Sequence, residues 1–350
     1  MRMKPSGTSF AALLVMMAAW APAPAQPLSP GVASVAIAPA TAPRDMQSVY
    51  GTAPCPDQGG QGSPLCDTRP GPGSPMPPSV EHGGFKMPAN WSQPVTPFRI
   101  VGNIYYVGVA GLGAYLFTSP AGLILLDGTL PENAPQIERN IARLGFRPGD
   151  VKILLNSHAH YDHAGGLAQL KRDTGARLLA SAGDRPALER GVHVAESAYG
   201  AFTFPPVKVD GVLVDGRPVR LGRIALTPVI TPGHTPGCTS WATTATERGK
   251  LLRVFFPCSA TIAGNKLIGN RTYPGIVGDY RRSFRRLRQV RADVILPPHP
   301  EWTDVLGRAR RAAAGDRNAF IMPGALEKLV TGWEKDFDAE LAKAVAAARH

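Results

Sequence analysis

The chain has 350 residues, four cysteines and a formal charge of +12, and 44% of its residues are hydrophobic. That length and apolar content suit a globular protein of one large or two ordinary domains with a sizeable core. The positive charge is scattered along the chain, which argues against a nucleic-acid partner.

Arg2 and Lys4 precede the apolar run Phe10–Ala21, and Ala23-Pro24-Ala25 follows it. A positive start, a short apolar run and a small-x-small site predict a secretory signal peptide over residues 1–25 and a periplasmic or secreted protein. The run is short for a bilayer and no later stretch is long and apolar enough, so no stable membrane insertion is expected. Removing Arg2 and Lys4 takes the formal charge from +12 to +10. Residues 26–88 are rich in Pro, Gly, Ala and Ser and predict a linker or loosely ordered arm. Four cysteines suit an oxidising compartment. Cys55 and Cys66 are close together, and Cys238 and Cys258 end two apolar segments, so local pairing is expected, although the sequence allows three connectivities.

Structured sequence begins near Trp91, in a domain expected over 89–350. Phe98–Val101 and Ile104–Val107 alternate around a Gly102-Asn103 turn, and strands follow at Tyr115–Phe117 and Leu123–Asp127. A helix is predicted over Asn133–Leu144, closed by Gly145, then a core strand around Leu154-Leu155, a helix over Ala164–Asp173 and a strand at Arg177–Ala180. Later strands are expected at 223–230, 239–244, 251–256 and 293–296, with helices at 279–290 and 325–348. Arg281, Arg282, Arg285, Arg286, Arg288 and Arg291 fall at helical spacing, as on the solvated side of an amphipathic helix. Strands each followed by helices predict a layered α/β domain with helices outside a pair of sheets.

Three sites hold the chemistry. Ser157-His158-Ala159-His160-Tyr161-Asp162-His163 follows the strand Val151–Leu155, and places three imidazoles and a carboxylate within six positions. Imidazole and carboxylate are ligands for a borderline metal such as zinc. His234 sits in Thr231-Pro232-Gly233-His234-Thr235-Pro236-Gly237, where two Pro-Gly pairs make a rigid bend. His299 follows Val294-Ile295 in Leu296-Pro297-Pro298-His299-Pro300. Each group ends an apolar strand, so five histidines and Asp162 are expected to converge on two metals. His82, His193 and His350 lack a rigid turn or strand end of this kind and are left outside the site. Asp127, at a strand end, is a candidate for ordering the site loop.

His158-x-His160-x-Asp162-His163, with His234 and His299 in these settings, resembles the metallo-beta-lactamase superfamily. Trp91-Ser92-Gln93-Pro94-Val95-x-Pro97-Phe98, Asn103-Ile104-Tyr105-Tyr106-Val107-Gly108 and Tyr273-Pro274-Gly275 resemble the third subclass of class B β-lactamases. The resemblance covers about 91–350. It implies an αββα sandwich and two zinc ions per chain. His158, His160 and His234 would hold the first zinc, and Asp162, His163 and His299 the second. It implies hydrolysis of the β-lactam amide bond of antibiotics by a zinc-activated hydroxide that Asp162 orients. The partner is a small-molecule β-lactam, and a monomer is expected. Ser259 would approach the substrate carboxylate, and Thr261 shares that assignment. Cys258 is an alternative zinc ligand, because thiolate binds zinc well. The rival is a lactonase or thioesterase on the same scaffold. Such relatives carry a bridging aspartate where this chain reads Phe256-Pro257-Cys258-Ser259-Ala260.

Overall fold

The computed structural model of the chain describes residues 81–82, 85–197 and 202–349. The expected signal peptide, most of the expected arm and the cysteines Cys55 and Cys66 lie outside them. At the end of the expected arm, β1 (Glu81–His82) pairs antiparallel with β2 (Phe85–Lys86). Extended pairing thus begins before Trp91.

The first sheet starts as an antiparallel meander of β3 (Phe98–Val101), β4 (Ile104–Tyr106), β5 (Tyr115–Ser119) and β6 (Gly122–Leu126). It then turns parallel through β7 (Val151–Leu155), β8 (Arg177–Ala180) and β9 (Gly211–Val212). Parallel neighbours need crossovers. Here α1 (Ala134–Arg143) links β6 to β7, and α2 (Tyr161–Ala164) with α3 (Leu167–Thr174) links β7 to β8. The short α4 (Arg185–Arg190) follows β8. The second sheet has the order β10 (Val219–Leu221), β11 (Ile224–Ile230), β12 (Thr239–Glu247), β13 (Lys250–Phe256), β14 (Val294–Ile295). Only its last pair is parallel, and α5 (Ile276–Leu287) makes that crossover. The helices α6 (Val305–Ala313) and α7 (Ala325–Ala347) close the chain.

The period of two along a strand assigns each side chain to a layer. Tyr115 and Phe117 of β5, Ile124 and Leu126 of β6, and Leu252, Val254 and Phe256 of β13 join one buried cluster between the sheets. Their neighbours Leu116, Leu123 and Leu125 face outward and pack with Ile137 and Ile141 of α1 and Leu167 and Leu170 of α3. Phe255 faces the other way and packs with Tyr280 and Phe284 of α5 and Trp333 and Phe337 of α7. The order of layers is helix, sheet, sheet, helix: the expected αββα sandwich.

Among the described residues, no helix is long and apolar enough to cross a membrane. The arginine row on α5 is largely paired. Arg281 meets Asp338, Arg282 meets Asp279, Arg286 meets Asp215 and Arg288 meets Glu334. It is a solvated helix face, as its spacing predicts.

Candidate metal centre

Three strands of the sandwich end at the same edge. β7 runs into His158 and His160, and α2 then carries Asp162 and His163. β11 leads to His234, and β14 to His299. His158, His163 and His234 are buried; His160, Asp162 and His299 are half-buried. All six side chains are brought together.

Ligand atoms of His158, His160 and His234 all lie within 4.8 Å of one another, and so do those of His158, Asp162 and His163. The Nε2 atoms of His158 and His234 are 3.1 Å apart. On the other side, Asp162 Oδ2 is 3.1 Å from His163 Nε2 and 3.4 Å from His299 Nε2. The two Nε2 atoms are themselves 3.3 Å apart. Ligands at about 2.05 Å around a tetrahedral ion stand about 3.3 Å from one another. The Asp162, His163 and His299 triangle therefore has the edges of a zinc site. His160 Nε2 is buried without a hydrogen-bond partner. A bare buried nitrogen is costly unless a cation takes its lone pair. The donor set fits a divalent metal, with zinc the best match to its imidazole and carboxylate chemistry.

The surroundings fix the rings. His234 Nδ1–H donates to the Thr261 carbonyl at 2.7 Å, which leaves Nε2 as the lone pair facing His158. Tyr280 holds the same carbonyl through its hydroxyl at 2.8 Å. Asp127 accepts from the Ser157 amide at 2.6 Å and from Asn156 Nδ2 at 3.2 Å. Its backbone sits in the left-handed region at φ 67°, so the turn after β6 is held by these bonds against its own preference. Asp127 thus orders the loop that carries His158, the role proposed for it from its place at a strand end.

Burial drives His158 and His160 well below the ordinary imidazole range, and takes His234 down to about 3 and His299 down to about 4. These rings are neutral at pH 7, as metal ligation requires. Burial also presses on His163, but the Asp162 carboxylate outweighs it and holds His163 above its ordinary range. For Asp162, burial is outweighed by His163 and His299, which keep the carboxylate ionised far into acid.

The sequence model of the Metallo-beta-lactamase superfamily matches residues 114–299, from β5 to the last histidine of this cluster. The chain belongs to that superfamily. Among solved structures, it is 43% identical to BJP-1, a subclass B3 metallo-beta-lactamase of Bradyrhizobium japonicum, with a TM-score of 0.71 over 74% of this chain and 98% of that one. It is 36% identical to the FEZ-1 metallo-beta-lactamase of Legionella gormanii, with a TM-score of 0.70 over 74% and 99%. Among curated proteins, it is 28% identical over 156 residues to a hydroxyacylglutathione hydrolase of Rhodospirillum rubrum, covering 44% of this chain and 49% of that one. The chain spans about half the length of the curated relatives it matches.

In this metallo-beta-lactamase-superfamily member, His160, Asp162, His234 and His299 of the cluster form the floor of a cavity of about 230 Å³. Its walls include Met87, Trp91, Tyr161, Phe202 and Phe204, so the site is apolar around a polar floor. His193, Phe202 and Phe204 also line it. Residues 109–115 do not line it. Val109 and Leu112 pack against Trp91 instead, and the Trp91 ring lies 5.6 Å from that of His299.

Cys238 and Cys258 form a disulfide, with Cα atoms 5.9 Å apart. This is the expected local pairing, and it removes Cys258 as a thiolate ligand. Thr261 lines the cavity. Ser259 is buried behind it, with Oγ accepting from the Thr261 amide at 3.2 Å and lying 3.1 Å from Thr261 Oγ1.

His193 was missed. The sequence sets it apart from the site, yet its ring stands 4.5 Å from that of His160 and lines the cavity. Its Nε2 lies 3.4 Å from Asn265 Oδ1, and Asn265 Nδ2 donates to the His234 carbonyl at 3.0 Å. No local pattern around His193 announces this; only the tertiary fold folds that segment over the floor.

Proposed function

We propose that this protein is a zinc-dependent β-lactamase that opens the lactam amide of β-lactam antibiotics, and that it confers resistance to them from the periplasm or outside the cell. His158, His160 and His234 would hold one zinc, and Asp162, His163 and His299 a second. Zinc bound there would supply an acidified water and Lewis-acid polarisation of the lactam. The observation that carries the proposal is the Asp162, His163 and His299 triangle, together with the disulfide that closes off Cys258. No carboxylate stands in the Phe256–Ala260 segment, where the rival hydrolases carry one. Likeness to solved metallo-beta-lactamases over nearly their whole length supports the same reading.

The chain's own residues have separable tasks. Asp162, ionised and on the floor of the cavity, accepts a hydrogen bond from the attacking water and aims it. The Thr261 hydroxyl on the wall takes the substrate carboxylate, and Ser259 holds Thr261 from behind. Trp91, Tyr161, Phe202 and Phe204 shed bulk water and seat the apolar parts of the drug. Ser157, buried and outside the cavity lining, is not placed to attack the substrate.

The test is spectrophotometric. Zinc-loaded protein is expected to hydrolyse a carbapenem, to lose that activity to a chelator, and to leave an acyl lactone untouched. Turnover of the lactone with none of the carbapenem refutes the proposal in favour of another hydrolase on this fold.

A further inference from the structure

The structure assigns a positioning role to Asp184, a buried carboxylate that joins the two histidine-bearing loops of the first metal site. It stands between β8 and α4, and is 2% exposed. An aspartate directly before a helix ordinarily accepts from that helix's first amides. Asp184 makes no such bond. Its Oδ2 accepts from the Ala159 amide at 2.9 Å and from Thr235 Oγ1 at 2.9 Å, and its Oδ1 accepts from the Gly237 amide at 2.8 Å.

The partners explain the role. Ala159 is the residue between His158 and His160, and Thr235 and Gly237 flank the turn just after His234. One carboxylate therefore fixes the backbone on both sides of the first triad, across three strand ends. Ser181, three residues earlier, adds a fourth tie by donating from Oγ to the Gly237 carbonyl at 2.7 Å. The loops are in contact because two glycines allow it. A Cβ on Gly183 would stand 2.4 Å from the Pro236 carbonyl oxygen, and one on Gly237 would stand 2.1 Å from Ser181 Oγ. Asp184 does not line the cavity, so it meets neither substrate nor water there. Neither Asp162, His163 nor His299 bonds to it. Its effect is confined to the His158, His160 and His234 triad.

This inference rests on the proposed metal assignment, and its test separates the two. Zinc affinity is measured by chelator competition in the full chain, in two backgrounds. The His163→Ala background isolates the first site, and the His234→Ala background isolates the second. Losing a residue that orients metal ligands typically weakens binding about 10- to 100-fold. Asp184→Asn, which turns an amide N–H against the donors, is expected to do so in the His163→Ala background. In the His234→Ala background, zinc affinity is expected to stay within about twofold. The ligand-field spectrum of cobalt(II) in the first site should change alongside the affinity. Where Asp184→Asn does not fold, Thr235→Val removes one donor alone, and Thr235→Ser restores it and the affinity. Equal weakening of both sites, or of neither, overturns the positioning role. Absence of zinc from the His163→Ala protein itself overturns the metal assignment, and the role of Asp184 with it.

Discussion

His163 is the side chain on which the second zinc depends in this proposal. His163→Ala should leave His158, His160 and His234 able to hold one zinc, so metal analysis after dialysis should approach one ion per chain. Activity should fall about 10²-fold or more, with the fold intact. Two tightly held zinc ions and normal carbapenem turnover in the variant would refute the assignment. Thr261 and Ser259 separate by position. Thr261→Val removes the hydroxyl on the cavity wall, and loss of a hydrogen bond to a charged group costs about 1.5–3 kcal/mol. That should appear in KM, with kcat little changed. Ser259→Ala acts only through Thr261 and should move KM less; the reverse order would exchange their roles. The ligand residues were legible because imidazoles and a carboxylate crowd the ends of apolar strands. His193 and Asp184 were not legible, since each belongs to the site only through contacts made across the fold.

Among the elements, the sequence located the strands of both sheets well, except β9 and β10. The predicted helix over Ala164–Asp173 is in fact two, α2 and α3, parted at Gly165-Gly166. Packing sets that break. A Cβ on Gly166 would stand 2.3 Å from the Gly128 carbonyl oxygen, and one on Gly165 would stand 2.4 Å from Pro131 Cδ. Gly166→Ala should therefore cost about 1–3 kcal/mol in unfolding experiments, the usual range for overpacking. Gly149→Ala, where the added Cβ meets nothing within 4 Å, is the control and should be near neutral. Similar losses for both would refute the packing argument. The helix α6 went unpredicted because its run of arginines hides its apolar face; Asp304, whose carboxylate caps the Gly307 amide, was the signal to read.

At the scale of the whole molecule, the buried imidazoles make stability depend on pH. In the metal-free protein, burial holds His158, His160, His234 and His299 below the ordinary imidazole pKa, with His234 at about 3 and His299 at about 4. Between those values and about 6.5 the unfolded chain binds protons on them that the folded chain refuses. Their contribution is thus present above about pH 6.5 and is lost as pH falls, by up to about 1.4 kcal/mol per unit for each ring. His163, held high by Asp162, and Asp127 and Asp184, each raised by burial to about 6, act in the opposite sense and offset part of the loss. The melting temperature of chelator-treated protein should fall from about pH 6.5 to pH 5. A flat or rising profile would contradict the balance. Zinc should raise the curve most at its upper end, because the metal competes with protons for the same nitrogens.

The two indoles beside His299 give the protein an optical voice of its own. The rings of Trp91 and Trp302 lie 5.6 Å and 4.8 Å from the His299 ring, and Trp302 in turn lies 5.3 Å from Trp333. A divalent ion brings the largest local charge of any group in such a site. Its arrival at His299 falls next to two chromophores whose emission senses nearby fields. Filling of this half of the centre can then be followed in unlabelled protein by tryptophan fluorescence, on the timescale of mixing, without waiting for turnover.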